Sequence, residues 1–246
     1  MNQDNIIIVT GGSRGIGAAI CEMLAESGHM VAAISRSGAM PQLAEGPLRS
    51  RVHAFAADVT QAHSVREAFR QVAALGFPIR GLVNNAGIHL QGASHSFSMA
   101  DYDSVFDTNA RAVLVGCQEA YPHLLAAGGG TIVNIGSFFD KLGVKHNLAY
   151  CASKAAVGAM TRCLAVEWAS KRIAVIDVAP GYIVTDLNRE AMEQGLLRAY
   201  LEKRIPRGTA GAPEDVARIV NFLFKKGTGF LTGETIYVDG AQGVAH

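Results

Sequence analysis

Residues 6–17 read Ile6-Ile7-Ile8-Val9-Thr10-Gly11-Gly12-Ser13-Arg14-Gly15-Ile16-Gly17. The continuous apolar run over 6–9 suits a strand covered on both faces. Glycines break it, and helical periodicity begins at once over residues 16–27. Gly11, Gly15 and Gly17 lack the side chains that would keep a pyrophosphate from the backbone. The helix N-terminus behind them offers unpaired N–H groups and the positive end of a dipole. Ser13, Arg14 and Ile16 share the turn and become candidate phosphate neighbours. Gly17 also permits close packing of helix on strand. The spacing is G-x-x-x-G-x-G, and a plain tight turn is the alternative to a nucleotide cradle.

The alternation of short β-branched runs and longer helical stretches continues outward from this unit. Further strands are expected at 31–35, 52–56, 81–84, 131–136, 173–178 and 235–238. Helices are expected at 64–75, 102–125, 150–170 and 213–224. Strands separated by helices imply βαβ units with right-handed crossovers. The expected fold is α/β: a doubly wound, seven-stranded parallel sheet with helices on both faces, Rossmann-type. No Pro/Ser-rich linker or repeat interrupts the pattern, so residues 1–246 are expected to form one domain, with the first turn as its candidate dinucleotide-binding element. Segments 138–147 and 182–211 fall outside the alternation. Both follow strands, beyond whose carboxyl ends ligands bind in such sheets. Both are expected to border the site, the second as a mobile substrate lid.

The chain has 246 residues, 49% apolar and 17% charged, with a net charge of +1. Such a length buries roughly 70% of the unfolded surface, and the composition is that of a globular protein. A near-neutral chain without a basic tract argues against nucleic acid and anionic membranes as partners. No apolar stretch is long enough to span a bilayer. Asp4 precedes an apolar run too short for a secretory signal. Cys21, Cys117, Cys151 and Cys163 form no C-x-x-C pair. They are expected to be small buried thiols of a reducing cytoplasm. The histidines show no metal-ligand spacing, so no metal is expected.

The second strand ends Ser35-Arg36-Ser37, with no acid between 31 and 37. An acid there would accept from the ribose 2′-hydroxyl of NAD. Arg36 with the two serine hydroxyls fits a 2′-phosphate instead, and Arg14 adds a second positive charge. The plainer alternative is a solvated strand-end charge. Asp58, with Val59 beside it, ends the third strand. Its carboxylate either accepts from an adenine amino group or caps a helix beginning near Thr60.

Ser137 follows the fifth strand, and Tyr150-Cys151-Ala152-Ser153-Lys154 comes thirteen residues later. Tyr150 and Lys154 are i and i+4, so they share a helix face. A free tyrosine, with a pKa of about 10, is a poor base at neutral pH. A nearby ammonium and a cationic nicotinamide in a water-poor cleft would lower it.

These motifs, with Asn84-Asn85-Ala86-Gly87, Asn109 and Pro180-Gly181, resemble the short-chain dehydrogenase/reductase family in order and spacing across the whole chain. Ile205-Pro206-Arg207-Gly208, Pro213-Glu214-Asp215-Val216 and Leu231-Thr232-Gly233-Glu234-Thr235 are similar to its 3-oxoacyl-acyl-carrier-protein reductases. The resemblance implies an NADP(H)-dependent oxidoreductase that interconverts a ketone and a secondary alcohol. Tyr150 would be the general acid and base, and Ser137 would hydrogen-bond the substrate oxygen. Lys154 would hold the nicotinamide ribose and lower the tyrosine pKa. Asn109 would anchor a water that relays protons from Lys154, or complete a helix kink. Asn85, Ala86 and Gly87 would pass the adenosine ribose, while Asn84 braces the sheet. Pro180, Gly181 and Ile183 would lie against the nicotinamide, and Thr185 would bind its carboxamide or the phosphates. A homotetramer is implied too, with helices 102–125 and 150–170 at the main interface.

Reductases acting on acyl carrier protein often carry basic residues before the fifth strand, and residues 124–130 have none. An acyl-carrier partner is thus left open, beside a free small-molecule ketone. Phe138 and Phe139 read as an apolar wall or as core. His89, His95 and His146 lie on segments that border the cleft or read as plain surface histidines, and Cys151 reads as a packing residue rather than a reactive thiol. Two rival functions remain: an NAD-dependent dehydrogenase of a polyol or other small alcohol, and a non-catalytic nucleotide-binding regulator. Arg36 argues against the first, the intact Ser137, Tyr150, Lys154 and Asn109 set against the second.

Overall fold

In β1 (Ile6–Thr10), Ile6 and Ile8 enter the core on one face of the sheet, Ile7 and Val9 on the other. That two-sided burial is what the unbroken apolar run demanded. The computed structural model describes residues 5–43, 46–186, 188–190, 195–225 and 229–245. Asp4 lies outside them.

After β1 come α1 (Gly15–Glu26), β2 (Met30–Ser35), β3 (Val52–Ala56), α2 (Ala62–Ala73) and β4 (Ile79–Asn84). Next are α3 (Met99–Phe106), α4 (Ala112–Ala126), β5 (Gly130–Ile135), α5 (Leu148–Trp168) and β6 (Ile173–Pro180). The chain ends with α6 (Gly195–Arg204), α7 (Pro213–Lys225) and β7 (Thr235–Val238). The seven strands are parallel, in the order β3-β2-β1-β4-β5-β6-β7. The chain winds outward from β1 to β3, then returns to β4 on the other side of β1. The carboxyl ends of β1 and β4 therefore diverge around a crevice. Helices α1 and α7 pack their apolar stripes (Ile20 and Leu24, Val216, Val220 and Leu223) on one face. Helices α2, α4 and α5 cover the other, through Phe69, Leu124, Val157 and Leu164 among others.

The expected α/β fold is the observed one, in a single domain, with differences at particular places. The helix expected over 102–125 is broken into α3, a π-helical turn (Asp107–Arg111) and α4. The π turn fits an extra residue into the helix and marks a functional position in many proteins. Here it buries Asn109 completely. Residues 138–141 form a short 3₁₀ turn rather than plain loop. In the 182–211 segment, Ile183 bridges Gly211 and closes the base of the excursion that carries α6. Residues 187 and 191–194 of the expected lid lie outside the described residues. Expecting four buried thiols needs correction: Cys21 and Cys117 are buried, Cys151 is partly covered and Cys163 is exposed. Cys163 lies on the outer face of α5 with Ala159 and Val166, away from the sheet.

Candidate active site

Gly11 and Gly15 have φ of +66° and +56°, backbone that glycine adopts without strain. Gly17 has another task. A Cβ there would stand 2.1 Å from the Gly11 carbonyl oxygen, so α1 could not approach the turn. Arg14 enters α1 in extended backbone, no side chain caps the helix, and its first turn holds no acid. The N–H groups of this turn have no intrahelical acceptor. Thr185 faces them, its methyl 3.5 Å from the Cβ position of Gly15. Thr10 and Asn85 brace the loop. Thr10 Oγ1 accepts from the N–H groups of Asn85 and Ala86 at 3.0 and 3.2 Å. The Asn85 amide donates to the carbonyls of Thr10 and Gly11 at 3.0 and 3.2 Å. The Asn85 side chain is thus engaged in joining β4 to the glycine turn. Asn84 braces the sheet through Asn134 Oδ1 at 2.9 Å.

At the end of β2, Arg36 is exposed and makes no hydrogen bond among the described residues. Ser35 and Ser37 pair their hydroxyls at 3.4 Å, and Ser37 Oγ accepts from Ala39 N. Asp58 does not cap a helix, since α2 begins later, after Gln61. Instead Oδ1 accepts from Thr60 N and Oγ1 at 2.9 and 2.8 Å in a local turn. Those two bonds, with the Arg36 charge a smaller influence, hold its carboxyl below the usual range. Val59 is half-buried beside it.

The carboxyl end of β5 carries Ser137, and α5 brings Tyr150 and Lys154 against it. Ser137 is buried, and its Oγ accepts from Phe139 N at 3.2 Å. Burial pushes the Tyr150 hydroxyl above its ordinary value, against a lowering contact with Ser137. Lys154 is 5% exposed, and its Nζ donates to the Ile135 carbonyl at 2.7 Å. Burial lowers its pKa to about 8, opposed by the negative charge of Asp177. The ammonium is 5.8 Å from the Tyr150 ring centroid. From the π turn, Asn109 accepts from Ile88 N and donates to Ile88 O, both at 2.9 Å. It also donates to Ser153 Oγ at 3.2 Å. A Cβ at Gly87 would lie 3.3 Å from Asn109 Oδ1 and 3.8 Å from Lys154 Nζ. The kink and the approach to Lys154 therefore occur together.

The rings of Phe138 and Phe139 are both wall and core. Both are buried, and Phe139 meets the Tyr150 ring edge-on at 5.9 Å. Tyr182 packs on both phenylalanines, at 5.4 and 6.1 Å. On the open side stands His89. It is exposed, as the sequence suggested, but its ring lies 4.5 Å from that of Tyr150. It hydrogen-bonds Asn147 Oδ1 through Nε2. The Asn147 amide donates to the Lys145 carbonyl at 2.7 Å, which fixes Oδ1 as the acceptor. Nε2 then carries the proton, and in that tautomer Nδ1 is the acceptor. Nothing in sequence periodicity marks His89, Asn147 or Tyr182. Of the other candidates, Pro180 ends β6, and the Gly181 N–H bonds the Val238 carbonyl at 2.9 Å. Ile183 is buried behind them. His95 and His146 are exposed, with no bond to this cluster.

A dinucleotide fits this crevice: an uncapped helix end behind glycines, a strand-end guanidinium, and a buried ammonium beside a serine and a tyrosine. The short chain dehydrogenase family matches residues 5–195. The 3-oxoacyl-[acyl-carrier-protein] reductase of Homo sapiens is 34% identical over 97% of this chain and 98% of its own length. An NAD-dependent glycerol dehydrogenase of Listeria innocua is 31% identical over 96% of this chain and 93% of its own length. A gluconate 5-dehydrogenase from Burkholderia cenocepacia, solved with NADP and tartrate, aligns with a TM-score of 0.86 at 29% identity. That alignment covers 98% of this chain and 96% of the other.

Proposed function

Because the chain belongs to the short-chain dehydrogenase family, and so to the oxidoreductases, we propose that it interconverts a ketone and a secondary alcohol with NADP(H). The convergence of Ser137, Tyr150, Lys154 and Asn109 beside the glycine turn carries this reading. The nicotinamide supplies the hydride when bound, and the protein supplies position and the proton. Gly11, Ser13, Gly15, Ile16 and the first turn of α1 take the phosphates. Ser35, Arg36 and Ser37, with Arg14, take the 2′-phosphate, while Asp58 and Val59 border the adenine. Lys154 holds the nicotinamide ribose hydroxyls, and Pro180, Gly181, Ile183 and Thr185 back the nicotinamide ring. Ser137 donates to the carbonyl oxygen. Tyr150 gives that oxygen its proton in reduction and takes it back in oxidation. With the hydroxyl raised by burial, the phenol is the stable form before the cofactor's positive charge enters. That form suits the acid role.

The substrate is a small-molecule ketone held between Phe138, Phe139 and Tyr182 on one side and His89 on the other, under the 182–211 excursion as a lid. Similarity to 3-oxoacyl reductases adds a 3-oxoacyl thioester to the candidates, with or without an acyl carrier protein. A second reading, an NAD-dependent dehydrogenase of a polyol, draws on Asp58, whose carboxylate offsets part of the Arg36 charge. The outer face of α5, with Ala159, Cys163 and Val166 exposed, suits a subunit interface in a homotetramer. Free cysteines fit a reducing cytoplasm. Among the described residues no helix is long and apolar enough to cross a membrane. The test is purified protein with NADPH or NADH against acyl thioesters, keto sugars and cyclic ketones. Turnover of one class identifies the substrate, and turnover of none defeats the reading.

A further inference from the structure

Asp177 lies in β6 on the face that sends Ile173 and Val175 toward α5. It is completely buried in an otherwise apolar strand. Its Oδ2 accepts from Thr235 Oγ1 of β7 at 3.2 Å. Its Oδ1 has no hydrogen-bond partner among the described residues. Two glycines make room for the carboxylate. A Cβ on Gly136 would come within 2.4 Å of Oδ1, and the Cβ position of Gly158 in α5 is 3.9 Å from Oδ2. Arg162 Nη1 stands 3.5 Å and Asp140 Oδ2 4.0 Å from that same Gly158 position. Asp140 in turn accepts from the Tyr237 hydroxyl at 2.9 Å, and Lys141 Nζ lies 3.6 Å over the Tyr237 ring. The groups around Asp177 are therefore Thr235 and Tyr237 from β7, Asp140 and, over the Tyr237 ring, Lys141 from the turn after β5, Arg162 from α5, and Lys154 from α5, whose Nζ is held by the Ile135 carbonyl at 2.7 Å, one residue before Gly136.

Arg162 is exposed, and Asp140 already holds Tyr237. Lys154 is the buried cation of this group. Burial disfavours a charge, and a second charge of opposite sign offsets that cost. We propose that Asp177 is a positioning residue, a buried counter-charge on β6 that acts from behind Gly136 and Ser137 to keep Lys154 in its ammonium form. This rests on the reading of Lys154 as the group that holds the cofactor ribose. Each charge favours the other, yet burial prevails at both. Asp177 is raised to about 6 and Lys154 lowered to about 8. Between those values both are charged, and the counter-charge operates. As pH falls through about 6, Asp177 takes up a proton, and Lys154 keeps its charge without help.

The test uses the full chain labelled with ¹³C at lysine Cε, with the Lys154 resonance assigned by its loss in Lys154→Arg. In wild type it titrates near pH 8. In Asp177→Asn its proton affinity is expected to fall about tenfold, a change on the order of one pKa unit. An unmoved titration overturns the proposal. NADPH titration is the second readout. Asp177→Asn is expected to bind NADPH like wild type below pH 6, and several-fold more weakly at pH 8. Equal weakening at both pH values means packing damage and overturns the proposal. A moved lysine titration with NADPH affinity unchanged supports the counter-charge and removes Lys154 from the cofactor site. If Asp177→Asn does not fold, Thr235→Val keeps the charge and removes its hydrogen bond. The pH at which the lysine resonance first responds then rises, and an onset that stays put overturns the proposal.

Discussion

Lys154 donates to the carbonyl of Ile135, two residues before Ser137, at 2.7 Å. One strand end thus fixes the serine directly and the lysine through its backbone. The lysine is held by a β-sheet carbonyl, so its position does not depend on α5 alone. Lys154→Ala is expected to weaken NADPH binding and lower turnover together. In wild type the ammonium is lost as pH rises through about 8, so NADPH affinity should fall over that range. In Lys154→Ala this inflection should vanish. An inflection that survives the substitution belongs to another group.

The proposed preference for NADP rests on Arg36. A charge-assisted bond to the 2′-phosphate is worth about 1.5–3 kcal/mol, or about tenfold to hundredfold in preference. Arg36→Asp should reverse that preference, because the carboxylate repels the phosphate and accepts from the ribose hydroxyls of NAD. The check is kcat/KM with each cofactor. A ratio that does not move makes Arg36 a solvated strand-end residue.

His89 tests the open side of the cleft. His89→Phe keeps a ring against Tyr150 but leaves Asn147 Oδ1 without its donor and removes the ring nitrogen that a hydroxyl elsewhere on the substrate would meet. KM for the ketone is expected to rise about fivefold, the effect of one hydrogen bond of about 1 kcal/mol, with kcat less affected. A KM equal to that of wild type places His89 outside the substrate path.

The strands were legible because parallel strands buried on both faces need unbroken β-branched runs, as in Ile6–Thr10. The site was legible where backbone demands a residue type, as at Gly11 and Gly15, or where helix spacing aligns two side chains, as at Tyr150 and Lys154. Asn109 was readable as a candidate residue but not as part of a π turn, since one extra residue barely disturbs helical periodicity. For Asp58 only the helix-cap alternative fails, because the same residue type caps a helix or closes a local turn, and the choice lies with Thr60. His89 and Asp177 gain their meaning from contacts that are 58 residues or more distant in the chain. His89 meets Asn147, and Asp177 meets Thr235. Local patterning carries no trace of either.

Asp177 also gives the fold a pH signature. Its carboxyl is raised from 3.8 to about 6 in the folded state, so folding binds its proton more tightly than the unfolded chain does. Its contribution to stability is fully present below the unfolded pKa and is lost as pH rises through the folded one. Asp177→Asn mimics the neutral form. It should raise Tm by several degrees at pH 8 and change it little at pH 4. A variant less stable than wild type at both pH values contradicts this.

The central claim is that Tyr150 exchanges the proton while NADPH carries the hydride. The most direct measurement is the rate of NADPH oxidation with the best ketone of the panel, in wild type and Tyr150→Phe side by side. NADPH affinity and Tm are measured on the same samples. Phe keeps the ring packing against Phe139 and His89 and removes only the hydroxyl. The account predicts that affinity and Tm hold while turnover falls by about 10²–10⁴, the range for loss of a general acid–base group. Turnover within a few-fold of wild type would contradict it.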